Sequence, residues 1–297
     1  MGPTVTVTSG PPGHAPDVLT RAADAGRLES LVEAGSPLRS TLEIAGRRYL
    51  APLHVQVLGR DGVGRDTMAR ALRERLSLSV IGPGENDSAA DADLWLYVLA
   101  GLPRRADVEA VRRLPADRRI VVLGKADTHG DWDTAVQIAA KAADVLRTRV
   151  FTVSALLACA DLDDDEFAQL RAWVADGVEM PSMAGRFLSG PPGSAARQMR
   201  VGLLRRLDQF GIDLALALIG SGSPAAADVE ALNRSLQAAS GIADLVEPIR
   251  GHIGVVRGWR QIELRAAVER AAAAGLDRDT AEALLAGGHI TTAEVAS

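Results

Sequence analysis

Gly59-Arg60-Asp61-Gly62-Val63-Gly64-Arg65-Asp66-Thr67 follows directly on an apolar run, Leu53 to Leu58. A strand that enters a glycine-rich turn and leaves it as a helix is a device for holding phosphate. The glycines let successive backbone N–H groups converge on the anion, and the helix N-terminus adds its dipole. Gly59 and Gly64 enclose four residues, the spacing of a phosphate-binding loop. In a working loop a lysine comes next and reaches the terminal phosphates, and a Ser or Thr hydroxyl then binds Mg²⁺. Here Arg65 and Asp66 occupy those two places. The planar guanidinium of Arg65 is a poor substitute for a point charge. Asp66 sets a carboxylate beside the phosphates, where like charges about 4 Å apart cost on the order of 4 kcal/mol at partial burial. The frame of the loop is kept and its charge chemistry is replaced.

Two further short stretches follow apolar runs in the same way. Gly124-Lys125-Ala126-Asp127 comes after Ile120 to Leu123, and Ser154-Ala155-Leu156 comes after Val150 to Val153. Lys125 and Lys141 are the only lysines among 33 basic residues. With the abundance of alanine, that bias suggests a GC-rich bacterial genome and makes a lysine at a strand end informative. The plainer alternative is that Lys125 and Asp127 are a solvated loop pair.

The elements that must position these residues alternate. After the loop come a helix from Thr67 to Leu76, a short strand from Leu78 to Ile81, and an acidic loop from Glu85 to Asp91. Leu94 to Leu99 is a continuous apolar run, as expected of a strand buried on both faces. Helices are expected over Ala106 to Leu114 and Asp133 to Leu146, and Asp163 with Glu166 forms a capping box for a helix through Val174. This alternation predicts an α/β fold, a doubly wound and mainly parallel sheet with its ligand chemistry at the C-terminal strand ends. Before it, residues 1–15 read as a disordered lead-in, and helices over Asp17 to Ala34 and Leu38 to Ala45 as an N-terminal helical arm. After a Gly/Pro/Ser hinge at Pro181 to Gly193, apolar residues recur at helical spacing, starting with Leu203, Leu207 and Phe210. Ser223-Pro224 opens one more helix, Asp244 and Glu247 cap another, and a short amphipathic tail runs from Asp277 to Leu285. The expected division is therefore 1–50 lead-in and arm, 51–178 α/β domain, and 179–297 helical bundle.

At 297 residues, 47% hydrophobic and 24% charged, the chain has the composition of a soluble globular protein. A net charge of −5 without a basic stripe gives no reason to expect nucleic acid. The single cysteine, Cys159, excludes an internal disulfide and a cysteine-built zinc site. No run reaches membrane-spanning length and no signal peptide is legible, so the expected location is the cytoplasm.

Together these residues resemble the Era-like and dynamin-related bacterial GTPases, a P-loop family, over residues 18–178 and more loosely beyond. Gly124-Lys125-Ala126-Asp127 resembles their guanine-recognition motif with its asparagine lost. Ser154-Ala155-Leu156 resembles the loop whose backbone N–H meets the guanine oxygen. The resemblance implies a P-loop-type sheet with Asp127 receiving the guanine N1 and N2 hydrogens and the Lys125 stem packing over the base. It also shows where the chain departs. Thr67 and Gly84 are only 17 positions apart, too few for a Mg²⁺-sensing first switch, and Ile81 stands where the family's metal-linked aspartate belongs. What it implies is a degenerate G domain with no catalytic or metal-binding residues. The nucleotide-facing residues are Gly59, Gly62, Gly64, Arg65, Asp66, Thr67, Lys125, Asp127, Ser154 and Ala155. No cofactor is required, and GDP or GTP is expected to bind weakly. The partner implied is another protein, an intact GTPase of the same family, with peripheral association at the inner membrane face.

Other chemistries fit less well. Gly62-Val63-Gly64 is not a dinucleotide fingerprint, because Thr67 stands at the third glycine's place. The five histidines show no ligand spacing, Ser154 has no partner histidine motif, and Asp87, Asp91 and Asp93 read as a solvated acidic loop. Asp61 and Asp66 are expected to cap the loop helix; the competing reading is a divergent hydrolase with Asp66 on a metal. A third reading is a nucleotide-free structural adaptor. Gly251, Gly254 and Gly258 either pack inside the helical bundle or admit a partner helix.

Overall fold

The structure is a computed structural model that describes residues 17–85, 92–181, 184–188 and 190–287. In chain order its elements begin with α1 (Val18–Asp24), α2 (Arg39–Leu50), β1 (His54–Gly59), α3 (Arg65–Leu76), β2 (Ser79–Ile81) and β3 (Leu94–Leu99). There follow α4 (Arg105–Arg113), β4 (Arg119–Leu123), α5 (Trp132–Leu146), β5 (Val150–Thr152), α6 (Ala155–Ala158) and α7 (Asp164–Ala175). The chain then continues as α8 (Ala184–Phe187), α9 (Ala195–Gly220), α10 (Val229–Ala238), α11 (Val246–Ala273) and α12 (Arg278–Leu285).

The apolar runs pair as one sheet of five strands, ordered β2-β1-β3-β4-β5 and parallel at every described pairing. Strand residues alternate between two apolar layers. Val57, Leu96 and Val122 point to the side packed by α3, α6 and the start of α11. Leu99, Val121 and Leu123 point to the side packed by α4 and α5. A strand covered on both faces must be apolar at every position, which is why Leu94 to Leu99 shows no alternation in sequence. Each fully buried Leu or Val in these layers contributes about 1.5–3 kcal/mol of burial. The strand order reverses between β1 and β3, so a crevice opens there at the C-terminal ends.

Contacts divide the chain into two units, residues up to 51 together with those from 257 onward, and residues 52–256. This differs from a division at 178. Leu157, Leu170 and Trp173 share a core with Leu203, Leu216 and Leu232, so α6 and α7 are held to α9 and α10 by one apolar cluster. The first unit has its own core, where Leu19, Leu28 and Leu42 meet Leu264, Val268 and Leu284. Helix α11 carries the boundary within its length.

Several expected elements take another form. The helix expected over Asp17 to Ala34 stops at Asp24; Gly26 turns left-handed at φ +63°, and a 3-10 turn, Leu28–Leu31, follows. Ser223-Pro224 opens only a 3-10 turn, and α10 is capped instead by Asp228, which accepts from the Ala231 N–H at 2.7 Å. No described bond joins Asp244 and Glu247 as a cap. Asp244 lies inside the 3-10 turn Ile242–Leu245, and Glu247 pairs with Arg250. Asp93 is not a solvated acid; it is 1% exposed and its Oδ2 accepts from the His54 N–H at 2.9 Å. Asp87, Asp91 and the lead-in at 1–15 lie outside the described residues. The capping box is present, with Asp163 accepting from the Glu166 N–H at 2.9 Å and Glu166 from the Asp163 N–H at 3.2 Å. Gly251, Gly254 and Gly258 do not pack against another described element, because outside their own helix backbone and chain neighbours no described atom lies within 4 Å of where a Cβ would stand on any of them. No helix among the described residues is long and apolar enough to cross a membrane.

Candidate functional site

At the end of β1 the chain passes so close to β3 that only glycine fits. A Cβ on Gly59 would stand 2.6 Å from the Val98 carbonyl oxygen, at φ +145°. Gly62 and Gly64 also take positive φ, +79° and +93°, and α3 begins at Arg65. The glycine frame is thus a real strand–turn–helix at the crevice where the strand order reverses.

The side chains of the turn bond to the protein itself. Arg60 turns towards α4, its Nε 2.8 and 3.1 Å from the two oxygens of Asp107. Asp107 is fully buried and also accepts from the Tyr97 hydroxyl at 2.9 Å and the Arg104 N–H at 2.8 Å. Burial first, and then the bond to Asp107, pushes the Tyr97 phenol far above its usual range, so it stays a neutral donor. Arg65 reaches back across the turn, its Nη2 2.5 Å from Asp61 Oδ1. The Asp61 carboxylate is 98% exposed, so the pair contributes no more than about 1 kcal/mol. Asp61 and Asp66 do not cap the helix. The cap position is Gly64, with no side-chain bond.

Asp66 and Thr67 line a cavity of about 500 Å³ with Arg70, Cys159, Asp161 and Arg206. The Cys159 thiol there is buried, and that burial is the main cause that raises its pKa.

On the other side of the crevice, Gly124 has no room for a side chain. A Cβ there would meet Val98 Cγ1 at 2.6 Å and Met68 Cε at 3.4 Å. Lys125 bridges backbone to Ser154, and its Cε lies 3.6 Å from where a Gly64 Cβ would stand. The lysine stem therefore lies against the glycine turn, bringing two of the sequence stretches together. The third stretch joins them through hydrogen bonds. The Ala155 N–H, expected to face a ligand, instead donates to the Gly124 carbonyl at 3.2 Å. The Ser154 hydroxyl accepts from the Leu157 N–H at 3.2 Å and bonds the Asp127 carboxylate.

Asp127 is 9% exposed, and its Oδ1 has no hydrogen-bond partner. Burial raises its pKa, the Ser154 bond opposes that, and the Asp208 charge adds to the rise. It lines a second cavity, of about 420 Å³, with Met180, Asp208, Phe210 and Asp213. The ten expected residues are thus split: Asp66 and Thr67 face one cavity and Asp127 another. The residues sequence reasoning missed are Arg60, Tyr97 and Asp107, which anchor the turn, and Asp208 and Asp213. Asp107 stands at the spacing of a residue bonding back to a helix start, which was a legible signal; its tie to Arg60, 47 positions away, was not. Among the described residues no group of three or more His, Cys, Asp or Glu is placed to hold a metal ion.

In comparisons with known proteins the chain matches no family model, no curated protein and no solved structure.

Proposed function

We propose that this chain works by binding rather than by catalysis, as a degenerate P-loop GTPase-like protein that presents a fixed surface to another protein. The observation that carries this reading is the Arg65–Asp61 ion pair. The residue in the phosphate-reaching position is turned onto a carboxylate of its own loop, and a second carboxylate, Asp66, opens the following helix. Phosphoryl transfer depends almost wholly on positive charge placed at the phosphates, and this loop offers a neutral pair and an acid instead. The base side is weakened too, since Gly124 excludes an asparagine and the Ala155 N–H is already bonded. Any guanine nucleotide is held weakly, through Asp127 and the Lys125 stem. The partner suited to a protein that cannot cycle is one that can, an intact GTPase of the same kind.

The test is a pair of measurements on the purified chain. GTP hydrolysis should stay at background with and without Mg²⁺, and Arg65→Lys with Asp66→Ser should not create it. Turnover that disappears on Asp66→Ala would overturn the reading in favour of a hydrolase with Asp66 on a metal. That alternative draws on the position of Asp66 and Thr67 along the 500 Å³ cavity. Crosslinked recovery from the host of a complex with a GTPase is the result expected for the partner.

A further inference from the structure

Among the described residues four that are not glycine hold a positive φ, and three of them border helices. Ser77 and Arg147 close α3 and α5, Asp277 precedes α12, and all three take the left-handed helical conformation. Asp208 is different. It lies inside α9 at φ +57° and ψ −177°, a region essentially reserved for glycine, with helix on both sides of it. A residue strained in this way persists only where its surroundings hold it, and such residues gather at clamps and switches.

The bend also changes which face of α9 is buried. At 3.6 residues per turn, Leu203, Leu207, Phe210, Leu214 and Leu218 would share one face of a straight helix. Up to the bend that face is kept, and Leu203 and Leu207 are fully buried. Beyond it the buried residues are Ile212, Ala215 and Leu216, while Phe210, Leu214 and Leu218 are only half-buried. The second half of α9 therefore carries two apolar faces, and the bend selects one of them. Because both faces are apolar, exchanging one for the other conserves much of the burial.

Few contacts hold the bend itself. Asp208 Oδ1 accepts from the Gln209 N–H at 2.7 Å, and Gln209 Nε2 donates to the Pro181 carbonyl at 2.8 Å. Phe210 stacks on Trp132, centroids 6.3 Å apart. One hydrogen bond or one ring pair is of the same order as the strain it opposes. The half before the bend has separate ties, from Arg200 to the Phe187 carbonyl at 3.0 Å and from Arg206 to the Asp161 carbonyl at 2.7 Å.

We propose that α9 is a two-state helix hinged at Asp208. Bent, it buries Ile212 and Leu216 and packs Asp208, Gln209 and Phe210 as one wall of the cavity whose other wall is the turn carrying Asp127. Straight, it buries Leu214 and Leu218 and withdraws that wall, uncovering the turn. The device does not need the nucleotide reading, and a melt with GDP that shows no shift leaves it standing.

The experiment is a pulsed electron-spin distance measurement on the full chain carrying Cys159→Ala, with nitroxides on Gln198→Cys and Ala217→Cys, both at exposed positions of α9. The backbone between them spans about 28 Å in a straight helix and less in a bent one. Asp208→Ala removes the cap and penalises the bend, and it should raise the long-distance population about 5-fold or more, as loss of one hydrogen bond from the bent state does. Ile212→Ala should raise it too, Leu214→Ala should not, and Asp208→Gly should narrow the distribution at the short distance. A distribution unchanged in both Asp208→Ala and Ile212→Ala would overturn the proposal. So would a long-distance population that grows in Asp208→Gly or that responds equally to Leu214→Ala.

Discussion

Replacing Asp107 by alanine should destabilise the unit formed by residues 52–256 more than any surface change in the glycine turn. The carboxylate is fully buried and accepts from three donors, the Arg60 Nε–H shared between its two oxygens, the Tyr97 hydroxyl and the Arg104 N–H. Removing it leaves the Tyr97 hydroxyl, on a residue 3% exposed, without an acceptor. A buried unsatisfied group costs about 1–3 kcal/mol, and breaking a buried charged network about 3–5 kcal/mol. Arg60 regains water, because its side chain is 31% exposed, so its share is smaller. The expected loss is about 3–4 kcal/mol, a fall in melting temperature of roughly 6–16 °C for a unit of this size. Arg60→Ala should cost less, about 1–2 kcal/mol, since Asp107 keeps its two neutral donors. Urea unfolding followed by Trp95 fluorescence suits the measurement, because that indole donates to Gln56 on the neighbouring strand at 2.9 Å. A double-mutant cycle should give a coupling of about 1.5–3 kcal/mol between Arg60 and Asp107. A loss below about 1 kcal/mol for Asp107→Ala, or a cycle without coupling, would show that the turn is not anchored through this carboxylate.

Gly124→Asn should not create tight GDP binding and should destabilise by about 1–3 kcal/mol, because its Cβ would meet Val98 Cγ1 at 2.6 Å in a packed layer; an unchanged melt with submicromolar GDP affinity would refute the steric account. Asp127 has a raised native pKa, so its contribution to stability is complete below the ordinary aspartate value of 3.8 and is lost as the pH rises through the native value. Asp127→Asn should therefore raise the melting temperature at neutral pH, with the gain shrinking on acidification; a gain that grows in acid would reverse the sign and sink the argument. Asp208 holds φ +57° and ψ −177° inside α9, a conformation suited to glycine. Asp208→Gly should stabilise the fold by about 1 kcal/mol, and a lower melting temperature would show that its Oδ1 bond to the Gln209 N–H, at 2.7 Å, outweighs the strain.

The sequence by itself determined the sheet and the turn. Leu94 to Leu99 had to be a strand covered on both sides, because six consecutive apolar residues have no solvent face to offer. Gly59, Gly62 and Gly64 had to mark a turn at the end of the preceding strand, since positive φ there is open to glycine and costly to other residues. Asp163 with Glu166 had to start a helix, because both halves of the capping box lie within one turn. These are local facts, carried by residues at most a few positions apart.

Tertiary structure decided what the polar side chains do. The pairing of Arg60 with Asp107 spans 47 positions, and nothing near Arg60 in sequence distinguishes it from Arg65, which turns the other way to Asp61. Gly124 is excluded from being asparagine by Val98 on the neighbouring strand, a contact set by the register of β3 against β4. Asp93 looks like part of a solvated acidic loop in sequence, yet it is buried because the backbone of His54 supplies its hydrogen bond across the sheet. The grouping of Asp127 with Asp208 and Asp213 depends on where α9 breaks, and helical periodicity is blind to that kink, because Leu203, Leu207 and Phe210 keep one apolar stripe through it. Periodicity is a property of neighbours along the chain, whereas a charge is assigned its role by whatever the fold brings within about 3 Å of it.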